Sequence, residues 1–141
     1  MMYAIYSYED GVIDRILNAP STEFADRNAG EGYGYVEYPY DVSEVESYKV
    51  NTATKTIESK TTQSITATPT SISADGSSKS VLSGIANGSR ADIYSDSTPG
   101  KVVSIPGNKL NFCTDEVGDH DIVFSHPGYL DTTVTITATA P

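Results

Sequence analysis

Tryptophan is absent, phenylalanine occurs 3 times and methionine 2 times in 141 residues, so large apolar side chains are scarce and any core is modest. The single cysteine, Cys113, excludes an internal disulfide framework and a multi-cysteine zinc centre. Bases are few as well: 9 Lys and Arg stand against 19 Asp and Glu, a net charge of −10. That negative field repels phosphate backbones and anionic lipid headgroups, which makes nucleic acid and membrane surfaces poor partners and a cationic protein surface a better one. No run approaches the roughly 20 apolar residues needed to cross a bilayer, and the opening segment turns acidic at Glu9 without the basic start that an export signal requires. The length suits one ordinary domain or two very small ones.

Tyrosine fills part of the aromatic deficit, and its distribution is uneven. Eight of the ten (Tyr3, Tyr6, Tyr8, Tyr33, Tyr35, Tyr38, Tyr40, Tyr48) precede residue 50, whereas Ser, Thr and Gly dominate afterwards. This shift predicts two units, residues 1–60 and 64–141, joined near 60–63 by a polar stretch without hydrophobic period, the composition of an exposed connection. Both units are acidic: 11 acids against 5 bases in residues 1–60, and 8 against 4 in residues 61–141.

In the first unit, short apolar runs at residues 3–7 and 12–17 flank Asp10-Gly11, a hairpin signal because a tight turn needs positive φ. Ser21 followed by Glu23, with Gly30 beyond, marks a helix of about two turns over residues 21–28. Residues 34–38, 47–50 and 55–58 are β-rich, the last two facing each other across Asn51–Thr54. The expectation is a small ββαββ unit with a marginal core. In the second unit, Asp75-Gly76, Asn87-Gly88, Pro99-Gly100, Pro106-Gly-Asn108, Gly118-Asp119 and Pro127-Gly128 punctuate strand-sized runs. About eight strands are expected, at residues 64–68, 70–74, 80–82, 91–94, 102–105, 109–113, 121–125 and 132–139. In the last, Thr133, Thr135, Thr137 and Thr139 alternate with Val134, Ile136 and Ala138, the period of two that one buried face produces. The fold class predicted is mainly β, with an antiparallel, immunoglobulin-like sandwich at the C-terminal end.

Signals for chemistry are weak. Asp115, Glu116, Asp119 and Asp121 are candidate oxygen ligands for Ca²⁺, but the D-x-D-x-D-G spacing is missing and a solvated loop is the favoured reading. His120 and His126, on one face if their strand is regular, match no zinc spacing with Cys113 or Asp121. Cys113 follows Leu110 and Phe112 in an apolar strand and reads as a small buried hydrophobe. Gly30-Glu-Gly-Tyr-Gly34 follows a helix and precedes a strand, the reverse of a phosphate cradle, so it reads as a turn. No nucleophile elbow, zinc-protease or P-loop pattern occurs; no cofactor is expected, and a small hydrolase built on His120 or His126 ranks lowest. Tyr33, Tyr35, Tyr38 and Tyr40, around Pro39, carry the strongest signal. Tyrosine brings rigid contact area with a polar tip, and a unit this small cannot bury eight of them.

The segments Met2-Tyr-Ala-Ile-Tyr6, Gly11-Val-Ile-Asp-Arg-Ile16, Gly30-Glu-Gly32, Val36-Glu37, Tyr48-Lys-Val50 and Lys55-Thr-Ile-Glu58 resemble the start of small virion accessory proteins of tailed phages. Many of those continue into an immunoglobulin-like unit, and Leu82-Ser-Gly-Ile85, Ala91-Asp-Ile-Tyr94, Gly118-Asp-His-Asp-Ile122 and His126-Pro-Gly-Tyr-Leu-Asp131 are similar to it. The resemblance implies a non-enzymatic head decoration, head fibre or tail or neck component, multi-copy on the particle, contacting capsid, portal or tail protein, with a host-surface glycan as a further partner. The Ser/Thr-rich residues 61–80 depart from the pattern. The alternative from another class is a bacterial cell-surface or secreted immunoglobulin-like module that binds carbohydrate or protein.

Overall fold

A computed structural model describes residues 1–96, 101–105 and 107–141 of the chain. The expected turn at Pro99-Gly100 and the first residue of the Pro106 turn lie outside the described residues. The protein is mainly β, and its contacts divide it into two compact units, Met1–Thr61 and Thr62–Pro141.

The first unit runs β1 (Met2–Ser7), β2 (Ile13–Asn18), α1 (Thr22–Ala29), β3 (Tyr33–Glu37), a 3-10 turn (Val42–Ser47), β4 (Tyr48–Asn51) and β5 (Thr56–Ser59). It therefore holds one strand more than a ββαββ order, plus the unforeseen 3-10 turn, and its strands form two separate sheets. One has the order β2-β1-β3, all antiparallel; the other is the β4-β5 hairpin. Gly11 takes φ 75° in the β1–β2 turn, and its carbonyl accepts the Val50 amide at 2.8 Å, which ties the hairpin to that turn. The Ser21 hydroxyl caps α1 by accepting from the Phe24 amide at 3.2 Å. One side of the three-stranded sheet buries Tyr3 with Ala19 and Ala25, while Leu17 and Tyr35 pack against them half-buried. Beyond this cluster β1 also buries Ala4, Ile5 and Tyr6, and Ala29, Tyr38 and Val50 are buried elsewhere in the unit, so tyrosine and small residues do much of the filling that larger apolar side chains would otherwise do.

The second unit contains β6 (Thr66–Thr68), β7 (Ser71–Ser73), β8 (Ser80–Ser83), β9 (Arg90–Ser95), β10 (Lys101–Ser104), β11 (Lys109–Phe112), β12 (Gly118–His126) and β13 (Tyr129–Thr139). Two sheets result, β10-β9-β12-β13-β7 and β11-β8-β6. One core draws Ile72, Ala91, Ile122, Phe124, Ile136 and Ala138 from the first sheet and Leu82 and Phe112 from the second, the arrangement of a sandwich. Pairing among the described strands is antiparallel except for β7, which lies parallel to β13; an isolated parallel bridge also joins Thr62 to Leu130. A wholly antiparallel sandwich is thus corrected at one edge: the chain leaves the smaller sheet after β6 and rejoins beside the last strand. On β13, Ile136 and Ala138 are buried and Thr133, Thr135, Thr137 and Thr139 are exposed.

The junction is less free than its composition suggested. The Lys60 amide donates to Ser47 of the first unit at 2.8 Å. Gln63 is buried within the second: its amide donates to Thr132 Oγ1 (2.9 Å), its side-chain NH₂ to Ser89 Oγ (3.1 Å), and its carbonyl accepts the Ala86 amide (2.7 Å). Polar composition marked this stretch as exposed; hydrogen bonding to residues 23 to 69 positions away reverses that at Gln63.

Candidate functional site

Where β3 ends, Tyr38 continues its pairing by donating its amide to the Met2 carbonyl at 2.8 Å. Pro39 cannot extend the ladder, and the chain turns. The Asp41 carboxylate then accepts from the Ser43 amide at 2.9 Å and hydroxyl at 2.8 Å, nucleating the 3-10 turn. That turn reverses the chain so that Tyr40 and Tyr48, eight residues apart, stack with ring centroids 4.3 Å apart and planes within 2°. Tyr38 stands edge-on to both, 5.8 Å from Tyr40 and 6.3 Å from Tyr48. Its hydroxyl donates to the Asp41 carbonyl at 2.9 Å, fixing the turn from beneath.

The three rings play different parts. Tyr38 is 3% exposed and Tyr40 43% exposed, while Tyr48 is half-buried. Burial pushes the Tyr38 phenol above its ordinary pKa, and the neighbouring Tyr48, Glu44, Asp41 and Tyr40 add to the rise. The Ser43 amide, followed by its hydroxyl, holds the Asp41 carboxyl below the usual range, so it stays ionised. From Glu37 to Tyr48 there are four acids and no Lys or Arg. The surface is a stacked aromatic pair beside a buried third ring, with Asp41 and Glu44 close enough to act on that ring.

The other tyrosine candidates do not join it. Tyr33 is 37% exposed at the far end of β3. Tyr35 is half-buried, edge-on to Tyr3 at 6.0 Å, and helps close the small core. Tyr38, proposed from sequence as a contact residue, is instead buried, packed edge-on to the Tyr40–Tyr48 pair and removed from solvent. Sequence reasoning missed Tyr48 as a member. The available signal was local: Asp41 two residues before Ser43, a turn-forming pair that folds the chain back.

In the second unit a cleft of about 300 Å³ lies between the β9–β10 edge and β11. Ile93, Val103, Leu110 and Phe112 supply its apolar wall, and Lys101, Glu116, His120 and Cys113 reach its lining. Cys113 is exposed, which corrects its reading as a buried hydrophobe: β11 ends at Phe112, and strand alternation that turns Phe112 inward turns the next residue out. His120 is buried and donates Nε2–H to the Glu116 carbonyl at 3.0 Å, with Phe112 at 5.3 Å. His126 lies past a bulge in β12, with Nε2 3.1 Å from the Asn87 carbonyl. The two imidazoles stand about 20 Å apart along the strand, so they do not share a site.

Asp119 and Asp121 project from β12 and accept hydroxyl hydrogen bonds from Thr137 (2.8 Å) and Thr135 (2.7 Å). With Tyr94, Ser95 and Asp96 they line an open groove of about 390 Å³. Asp115 is not among its lining residues, and no group of three or more His, Cys, Asp or Glu among the described residues is arranged to hold a metal ion. No protein-family model, no curated protein and no solved structure matches this chain.

Proposed function

We propose that this chain is a non-enzymatic accessory or structural protein of a phage particle, a head decoration, head fibre or tail or neck component. Its first unit docks on capsid, portal or tail protein, and its second, an immunoglobulin-like unit, is displayed outward. The observation that carries the docking half is the stacked Tyr40–Tyr48 pair, whose Tyr40 remains 43% exposed. Docking would cover the exposed Tyr40 ring, and repetition on a symmetric particle would multiply a weak contact into firm attachment. The immunoglobulin-like reading of the second unit is supported by strand order. The β8–β11 and β9-β12-β13 groupings correspond to the B–E and C–F–G pairings of that fold, with β6 beside β8.

Mass spectrometry and antibody labelling of density-purified particles test the proposal. The chain should band with particles in multiple copies per particle, and Tyr40→Ala should reduce its occupancy. Recovery only as free protein would overturn the reading. A bacterial cell-surface or secreted carbohydrate-binding module is the second reading, favoured by the groove in which the exposed Tyr94 ring neighbours Asp119 and Asp121. Glycan-array binding abolished by Tyr94→Ala, together with absence from particles, would select it.

A further inference from the structure

The chemistry of the docking surface narrows its partner. Resting on the reading of the first unit as the docking unit, we infer that the Tyr40–Tyr48 stack receives an arginine side chain from a cationic partner protein. The stack leaves aromatic surface open to solvent, with Tyr40 43% exposed and the buried Tyr38 edge-on to it. An open tyrosine face carries the negative part of the ring quadrupole and attracts a cation. Glu37, Asp41, Glu44 and Glu46 lie along the same segment without a base among them, and Lys60, brought beside Ser47 by the hairpin, is buried. The next base along the chain, Lys49, faces Glu58 across the β4–β5 hairpin, its ammonium 3.9 Å from that carboxylate.

Guanidinium fits this combination better than ammonium. It is planar and can lie parallel to the ring, it is less strongly hydrated, and its edge N–H groups can bond carboxylates while its face stacks. A nucleic acid offers bases that stack but a backbone that the segment's carboxylates and the net charge of −10 repel. An anionic lipid surface is repelled for the same reason. A purely apolar partner would leave the tyrosine hydroxyls and the segment's carboxylates without counterparts.

The test is an NMR titration of the full chain with a short acetylated peptide carrying three arginines, and with matched peptides carrying three lysines or three citrullines. The arginine peptide should shift amides within residues 37–48 and bind more tightly than the lysine peptide, while the neutral citrulline peptide should bind weakly or not at all. Tyr40→Leu should weaken arginine binding by about two- to fivefold, the scale of an exposed cation–π contact, and weaken lysine binding by less. Glu44→Gln with Glu46→Gln, which leaves both rings in place, should lower affinity for both cationic peptides and flatten the salt dependence.

Equal binding of arginine and lysine peptides would overturn the inference, as would shifts confined to the second unit or indifference to Tyr40→Leu in a variant that keeps the wild-type spectrum elsewhere. A neutral oligosaccharide that shifts residues 37–48 where the arginine peptide does not would overturn it in favour of a sugar. The two readings fail separately. Particles that carry the chain without arginine preference defeat only this inference; arginine preference in a chain missing from particles defeats only the phage assignment.

Discussion

Replacing Gly11 with alanine tests whether the first unit depends on one backbone crossing. Gly11 sits at φ 75°, donates its amide to the Ser7 carbonyl at 2.9 Å, and accepts from the Val50 amide at 2.8 Å. A Cβ at this position would overlap the Val50 carbonyl oxygen and lie 3.4 Å from Thr52 Cγ2. Left-handed backbone costs an L-residue roughly 1–2 kcal/mol. The collision is with main chain, which cannot rotate aside, so the Val50–Gly11 hydrogen bond must also stretch or break, at about 0.5–1.5 kcal/mol. The expected destabilisation is about 1.5–3.5 kcal/mol. A unit of this size is worth only roughly 3–9 kcal/mol at typical stability per residue, so much of its stability would be lost. Gly32→Ala is the control: φ is 82°, and nothing lies within 4 Å of the added carbon. It should cost only the left-handed backbone term.

Urea titration followed by near-ultraviolet tyrosine circular dichroism reads the effect. The chain has no tryptophan, and eight of its ten tyrosines lie in this unit, so the signal reports its tertiary packing. Gly11→Ala should move the midpoint further than Gly32→Ala, by the extra cost of the main-chain collision. Equal shifts from the two substitutions would mean that the hairpin yields to the added methyl group, and the argument for a fixed crossing would be wrong.

Other expectations concern the second unit. Gln63→Ala leaves the Ala86 amide without its 2.7 Å acceptor and removes one of the two hydrogen bonds of the buried Ser89 hydroxyl, which still donates to the Ala86 carbonyl, so thermal unfolding should report a loss of about 1–3 kcal/mol; no measurable change would refute the anchoring of the junction. The Asp75 carboxylate accepts the Ser78 amide at 2.6 Å and hydroxyl at 2.7 Å and the Ser77 amide at 2.8 Å, which hold its pKa well below the ordinary carboxylate range. Because the folded pKa lies below the unfolded one, about 3.9, this stabilisation is present above that value and lost as pH falls further. Asp75→Asn should therefore flatten the fall of unfolding midpoint below about pH 4, and an unaltered acid profile would count against the turn. Cys113, exposed beside the cleft, should react with a thiol reagent in the folded chain at a rate comparable to the denatured one; labelling that requires denaturant would show that it is buried.

What could be read from sequence divides by the range of the interactions involved. The mainly β character was legible because turn residues and period-two alternation act within a few residues, as in Thr133 through Ala138, whose exposed and buried sides follow the pattern. Ser21 as a helix cap was legible for the same reason, its acceptor lying three residues from its donor. The parallel β7–β13 edge was not, since those strands lie more than fifty residues apart and neither carries a local mark of its partner. Gln63 was misread as exposed because its partners extend to Thr132, and Cys113 was misread as buried because composition outweighed its place in the alternation. The tyrosine surface belongs between these extremes. Abundance identified the chemistry and the neighbourhood, but burial of Tyr38 and stacking of Tyr48 on Tyr40 depend on a 3-10 turn that returns the chain onto itself. Aromatic content locates contact surface only once the intervening turn is known, because that turn decides which rings fill the interior and which remain open to a partner.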